Sequence, residues 1–145
     1  GRNADAERVL REGIALTPSE GELHYSLGLL LAEANRLPEA TDALGEAARL
    51  LPGRARVRYN YGLALQKVGR LNQAEKALLE AAELDPRDPQ IAYALAFSYA
   101  AQQQYQRALV YARRAAAQAS PADPGPRQLL ERITQQMASS PRTSN

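Results

Sequence analysis

Residues 55–88 read ARVRYNYGLALQKVGRLNQAEKALLEAAELDPRD, and this stretch decides the fold. Val57, Tyr61, Leu65 and Val68 recur at steps of three and four, the spacing that gathers side chains on one face of an α-helix. Gly69-Arg70 breaks the pattern as a turn. Leu71, Ala74, Leu78, Ala81, Ala82 and Leu84 then carry a second helical stripe. Asp85-Pro86 closes it, because proline disfavours the helical conformation in the residue before it. The stretch is a helix, a turn and a helix.

The same punctuation recurs outward in both directions. Pro18, Pro52 and Pro86 stand 34 residues apart, as do Tyr25, Tyr59 and Tyr93. Leu16, Leu50 and Leu84 keep that spacing, and so do Gly28 and Gly62, with Ala96 as third member. Ala6, Ala40, Ala74 and Ala108 form a longer series in the same phase. A fixed period of this length signals stacked supersecondary units. We read three full helix pairs at 21–54, 55–88 and 89–122. Residues 1–20 align with the second half of a unit, since Gly1-Arg2 matches Gly69-Arg70 and Ala6 matches Ala74. The small residues imply close backbone approach, with Gly28, Gly62 and Ala96 facing Ala40, Ala74 and Ala108 of the same pair.

The pattern resembles the tetratricopeptide repeat. Leu27-Gly28, Leu31, Ala40, Leu44, Ala47 and Pro52 carry the likeness in the first full unit. Tyr61-Gly62, Leu65, Ala74, Leu78, Ala81 and Pro86 carry it in the second. In the third it rests on Leu95-Ala96, Tyr99, Ala108, Ala112 and Ala115, and the closing proline, Pro121, has slipped by one residue. The family's tryptophan near the start of each first helix is absent, and His24, Arg58 and Ala92 stand there. The resemblance implies an all-α fold, a right-handed superhelical solenoid of antiparallel helix pairs. The chain is expected to be a piece of a longer repeat protein, and the richness in Ala, Arg and Gln suggests a bacterial one.

The ends complete this reading. The chain starts at Gly1 rather than Met, on a second helix without its first. The apolar side of that helix, around Val9, Leu10 and Ile14, is therefore expected to fray or self-associate. At the other end, 123–138 should form a capping helix with Leu129, Leu130, Ile133 and Met137 as its apolar stripe. Glu131, Arg132, Gln135 and Gln136 give it the wet face that a terminal repeat requires. Residues 139–145 read as a disordered polar tail.

Composition narrows the chemistry. Hydrophobic residues make up 45% of the chain, enough for a core and against a wholly disordered protein. No apolar run reaches the roughly 18 residues that span a bilayer, so no membrane insertion is expected. There is no Cys, which excludes disulfides, thiolate nucleophiles and Cys-based zinc sites. His24 is the single His, and no Gly-rich phosphate loop or His-Glu-x-x-His motif is present. We expect no catalysis, no metal and no cofactor. The 18 basic and 16 acidic residues interleave to a net charge of +2, which gives little counterion-release drive, and no nucleic-acid partner is expected.

The resemblance points instead to a concave groove lined by the first helix of each pair, where a protein or peptide ligand docks. By alignment its lining is Glu22, Tyr25, Leu29 and Glu33 from the first full unit. The second contributes Arg56, Tyr59, Asn60, Leu63, Gln66 and Lys67, and the third Gln90, Tyr93 and Phe97. Tyrosine offers apolar area and a hydroxyl together, a combination favoured at binding hot spots. Some members of the family hold acidic chaperone tails with Lys, Asn and Arg. Only Asn60 falls on such a place here, so that activity is not expected. The alternative function is a structural spacer or self-assembly platform within a larger multidomain protein.

Overall fold

The computed structural model describes residues 1–139. Among them are eight helices: α1 (Arg2–Leu16), α2 (Gly21–Glu33), α3 (Leu37–Leu50), α4 (Ala55–Lys67), α5 (Leu71–Leu84), α6 (Pro89–Ala101), α7 (Tyr105–Gln118) and α8 (Gly125–Ser139). They fall into two compact units, Gly1–Leu84 and Asp85–Asn145. In the first, α2 pairs with α3 and α4 with α5, while α1 and the α3–α4 contact extend the stack. In the second, α6 pairs with α7 and α8 lies against both. The polar tail expected at 139–145 lies outside the described residues, apart from Ser139. That residue ends α8, its hydroxyl donating to the Gln136 carbonyl at 3.2 Å.

One turn design joins each pair. Asn35, Gly69 and Gln103 occupy equivalent positions and all have positive φ (57°, 80° and 59°). The next amide donates back to the end of the first helix: Arg36 to Leu31 O, Arg70 to Leu65 O and Gln104 to Tyr99 O, at 2.8–2.9 Å. This is the Schellman closure, which satisfies carbonyls that the helix end would otherwise leave unpaired.

A second recurring contact marks the turns between pairs. The side chain six residues after the closing proline reaches back to its carbonyl. His24 Nε2 donates to Pro18 O at 2.9 Å, Arg58 Nε to Pro52 O at 3.1 Å and a terminal nitrogen of Arg127 to Pro121 O at 2.6 Å. His24 and Arg58 stand where the family's tryptophan is absent. Ala92 cannot make the bond, and the Pro86 carbonyl instead accepts from Gln118 of α7 at 3.4 Å.

Close approach within a pair is as expected, but its partner is different. A Cβ added to Gly28 would lie 2.6 Å from Leu44 Cγ, and one added to Gly62 would lie 2.7 Å from Leu78 Cγ. The side chains opposite the glycines are thus Leu44 and Leu78, not Ala40 and Ala74. Those alanines, with Ala108, sit one turn earlier and are completely buried. In the third pair the equivalent positions hold Ala96 and Ala112, both fully buried. The methyl added on one helix is offset by the volume removed from the other.

The first helix, α1, is held differently from the rest. None of its residues is buried. Leu10 and Ile14 pack, half-buried, against Leu27, Leu31, Ala40 and Ala43, while Val9 is 57% and Leu16 84% exposed. An ion network reinforces the contact. Arg36 bonds Glu7 at 2.7 Å and Glu39 at 2.6 Å, and Arg11 bonds Glu7 at 2.9 Å and Glu39 at 3.4 Å. The Arg36 and then the Arg11 guanidinium hold the Glu7 carboxyl below its ordinary range. Arg36 does the same to Glu39, and Glu39 and Glu7 in turn raise Arg36.

Candidate partner-binding site

In the first unit the expected lining comes from α2 and α4. Tyr25, on α2, packs half-buried against Ala47, Ala48 and Val57. Its hydroxyl accepts from the Asn60 side-chain amide at 2.8 Å, across to the next repeat. Glu22, at the start of α2, is paired with Arg54 just before α4. The charges of Glu22 and Arg54 are therefore neutralised between neighbouring repeats. On α4 the Arg56 guanidinium lies 4.9 Å from the centre of the Tyr59 ring. Leu29, Leu63 and Gln66 are half-buried, and Glu33 and Lys67 are exposed.

In the second unit the lining comes from α6. Asp88 caps this helix by accepting from the Gln90 amide at 2.8 Å. Gln90 is exposed and Tyr93 half-buried. Phe97 is 50% exposed. It stands at a cleft of about 300 Å³ between α6 and α8, floored by Ala100, Leu129 and Ile133 and edged by Arg132 and Gln136. The residues from α8 escaped the sequence reading, which treated that helix only as a cap. A signal was present: Arg127 follows Pro121 by six residues as Arg58 follows Pro52, which marks α8 as another first helix.

Elsewhere the chemistry is sparse. The ring of His24 is engaged with the Pro18 carbonyl. Among the described residues the buried Ser98 hydroxyl has no hydrogen-bond partner, and none of them is placed as a base to activate it. Among the described residues no three His, Asp or Glu side chains converge as metal ligands. No helix among them is long and apolar enough to cross a membrane.

Two family models, both described as "Tetratricopeptide repeat", match residues 31–96 and 1–55, and together span most of the chain. The chain belongs to the tetratricopeptide repeat family. Domains of this family are generally protein–protein interaction modules and typically non-catalytic scaffolds. No curated protein matches the sequence. Solved structures do resemble it. A crystal structure of MamA superposes with a TM-score of 0.86 at 17% identity, covering 91% of this chain and 77% of that one. A MamA segment from Desulfovibrio magneticus gives 0.87 at 21% identity, covering 95% and 77%. The Arabidopsis OM64 TPR domain gives 0.75 at 17%, covering 80% and 95%. At these identities the likeness carries the fold: eight helices packed pairwise as tetratricopeptide repeats.

Proposed function

We propose that the chain holds a peptide or helix of a partner protein on its first helices, with Phe97 as one anchor. The observation that carries this reading is the exposure of Phe97 beside an open apolar cleft. An aromatic ring left in water next to such a cleft suits a hot spot better than a core. In the first unit the proposed contact residues are Glu22, Tyr25, Leu29, Glu33, Arg56, Tyr59, Asn60, Leu63, Gln66 and Lys67. In the second, Gln90 and Tyr93 join Phe97. The reading includes no catalytic step and no nucleic-acid partner. Arg54 and Arg58 are paired with Glu22 and Glu80.

The test is affinity for a partner recovered from native lysate, measured with Phe97→Ala and Tyr59→Ala variants. Loss of a central aromatic anchor should cost about 2 kcal/mol or more of binding free energy. Unchanged affinity in both variants rejects the assignment.

Val9 and Leu16 favour a second reading, a self-assembly platform joined through α1. Both are exposed on a helix with no buried residue. Sedimentation should then show a mass that rises with concentration and returns to monomer in Val9→Lys, Leu16→Lys. A constant monomer mass rules this out.

A further inference from the structure

Between the second helices of successive repeats in the first unit runs a cleft that recurs with the repeat. One copy lies between α1 and α3, with a volume of about 480 Å³, and the other between α3 and α5, with about 460 Å³. Most of their lining residues fall at equivalent positions of the 34-residue repeat, but the side chains at those positions differ. In the α3–α5 cleft the ring of Tyr61 lies on α3, where a Cβ on Gly45 would touch it at 3.1–3.3 Å, and it packs on Leu65 and Ala77. The equivalents of Leu65 and Ala77 in the α1–α3 cleft are Leu31 and Ala43. Ala43 lines the open space as Ala77 does, but Leu31 lines it too, whereas Leu65 does not line the α3–α5 cleft, and the residue at the place of Tyr61 is Leu27. The second unit meets the same need with its own aromatics. Tyr99 and Tyr111, at the positions equivalent to Leu31 and Ala43, stack with ring centres 5.7 Å apart. Only the first full repeat leaves this spot without a ring.

The rim differs in charge as well. Glu39, Asp42 and Glu46 run along one side of α3 beside the α1–α3 cleft. The equivalents beside the α3–α5 cleft are Gln73, Lys76 and Glu80, so the central charge is reversed. Glu39 is engaged by Arg36 and Glu46 by Arg49, but Asp42 makes no ion pair among the described residues. A free carboxylate beside an apolar slot complements a cation beside an apolar group.

We propose that the α1–α3 cleft is a second docking site, which takes an aromatic side chain from an extended partner segment with a lysine or arginine next to it. The ring lies on Leu27, Leu31 and Ala43, as Tyr61 lies on Leu65 and Ala77, and the neighbouring cation meets Asp42. The site opens between two second helices over a floor partly supplied by α2, and it shares no residue with the cleft beside Phe97.

The probe is a blocked Lys-Phe-Lys peptide titrated into the full chain and followed by methyl NMR, with Lys-Ala-Lys and Glu-Phe-Glu as controls. Shifts are expected at Ile14, Leu27, Leu31 and Ala43 with Lys-Phe-Lys, and about tenfold weaker responses with either control, the scale of one lost favourable contact. Leu27→Tyr, which copies the second repeat, should abolish the response. Asp42→Lys alters only an exposed side chain, so it tests the site even if Leu27→Tyr perturbs folding, and it should reverse the preference towards Glu-Phe-Glu. Phe97→Ala should leave the titration unchanged, which separates this site from the other. Absence of shifts at the cleft methyls, or equal responses to Lys-Phe-Lys and Lys-Ala-Lys, overturns the proposal. So does concentration-dependent dimerisation that Leu27→Tyr removes while the peptide has no effect, since a second copy would then be the occupant.

Discussion

The Asn60 side-chain amide donates to the Tyr25 hydroxyl at 2.8 Å, and so ties α4 to α2 across the boundary between two repeats. Both side chains are partly buried, which protects the bond from competing water. Tyr25→Phe and Asn60→Ala should each lower stability by about 0.5–1.5 kcal/mol. The double variant should lose little more than either single one, because one shared interaction has been removed. Denaturant unfolding of the four proteins checks this, and full additivity would contradict it.

Gly62→Ala places a methyl against Leu78, where the nearest contact would be 2.7 Å. Overpacking of this kind costs about 1–3 kcal/mol. Combining it with Leu78→Ala recreates the Ala96 and Ala112 arrangement of the third pair. The double variant should be less destabilised than the sum of the two single changes, as read from thermal unfolding of the set.

Acid should release α1 before the other helices. Its contact to the stack depends on Glu7 and Glu39, whose carboxyls the arginines hold below the ordinary range. Such groups bind fewer protons folded than unfolded. Their stabilisation is complete above the ordinary carboxylate value of about 4.3 and disappears as pH falls through the lowered folded values. Amide exchange across 2–16, corrected for intrinsic rates, should therefore accelerate relative to α4 as the pH drops through that window. Glu7→Gln should show fast exchange in α1 already at neutral pH.

Gln103 adopts positive φ without the permissiveness of the glycine at the equivalent position 69. A non-glycine residue in that region is strained by roughly 1–2 kcal/mol, and glycine relieves this less its own entropy cost. Gln103→Gly should raise stability by about 0.5–1 kcal/mol. Gly69→Ala, the reverse change, should lower it, and paired melting curves will report both.

Helix type, pairing and phase were legible because they follow from spacing: Pro18, Pro52 and Pro86 end units and Gly28 and Gly62 mark close approach. Features set by neighbours distant in sequence were not. Nothing in the tyrosine series itself shows that the Tyr25 hydroxyl is engaged by Asn60. Gly69 announced its turn, whereas Asn35 and Gln103 adopt the same backbone without so specific a residue. The contribution of α8 to the Phe97 cleft was obscured by the one-residue slip at Pro121, which moves its inward side chains out of register with the earlier units.

The exchange of Gly–Leu for Ala–Ala between helix pairs bears on how such an array can be recombined. A crossover at the turn inside a unit, joining α2 to α7, would oppose Gly28 with Ala112 and leave a void. The reciprocal product, α6 joined to α3, would drive the Ala96 methyl into Leu44. Crossovers between units keep each matched couple intact. Shuffling, natural or engineered, is therefore tolerated in whole units and penalised in halves.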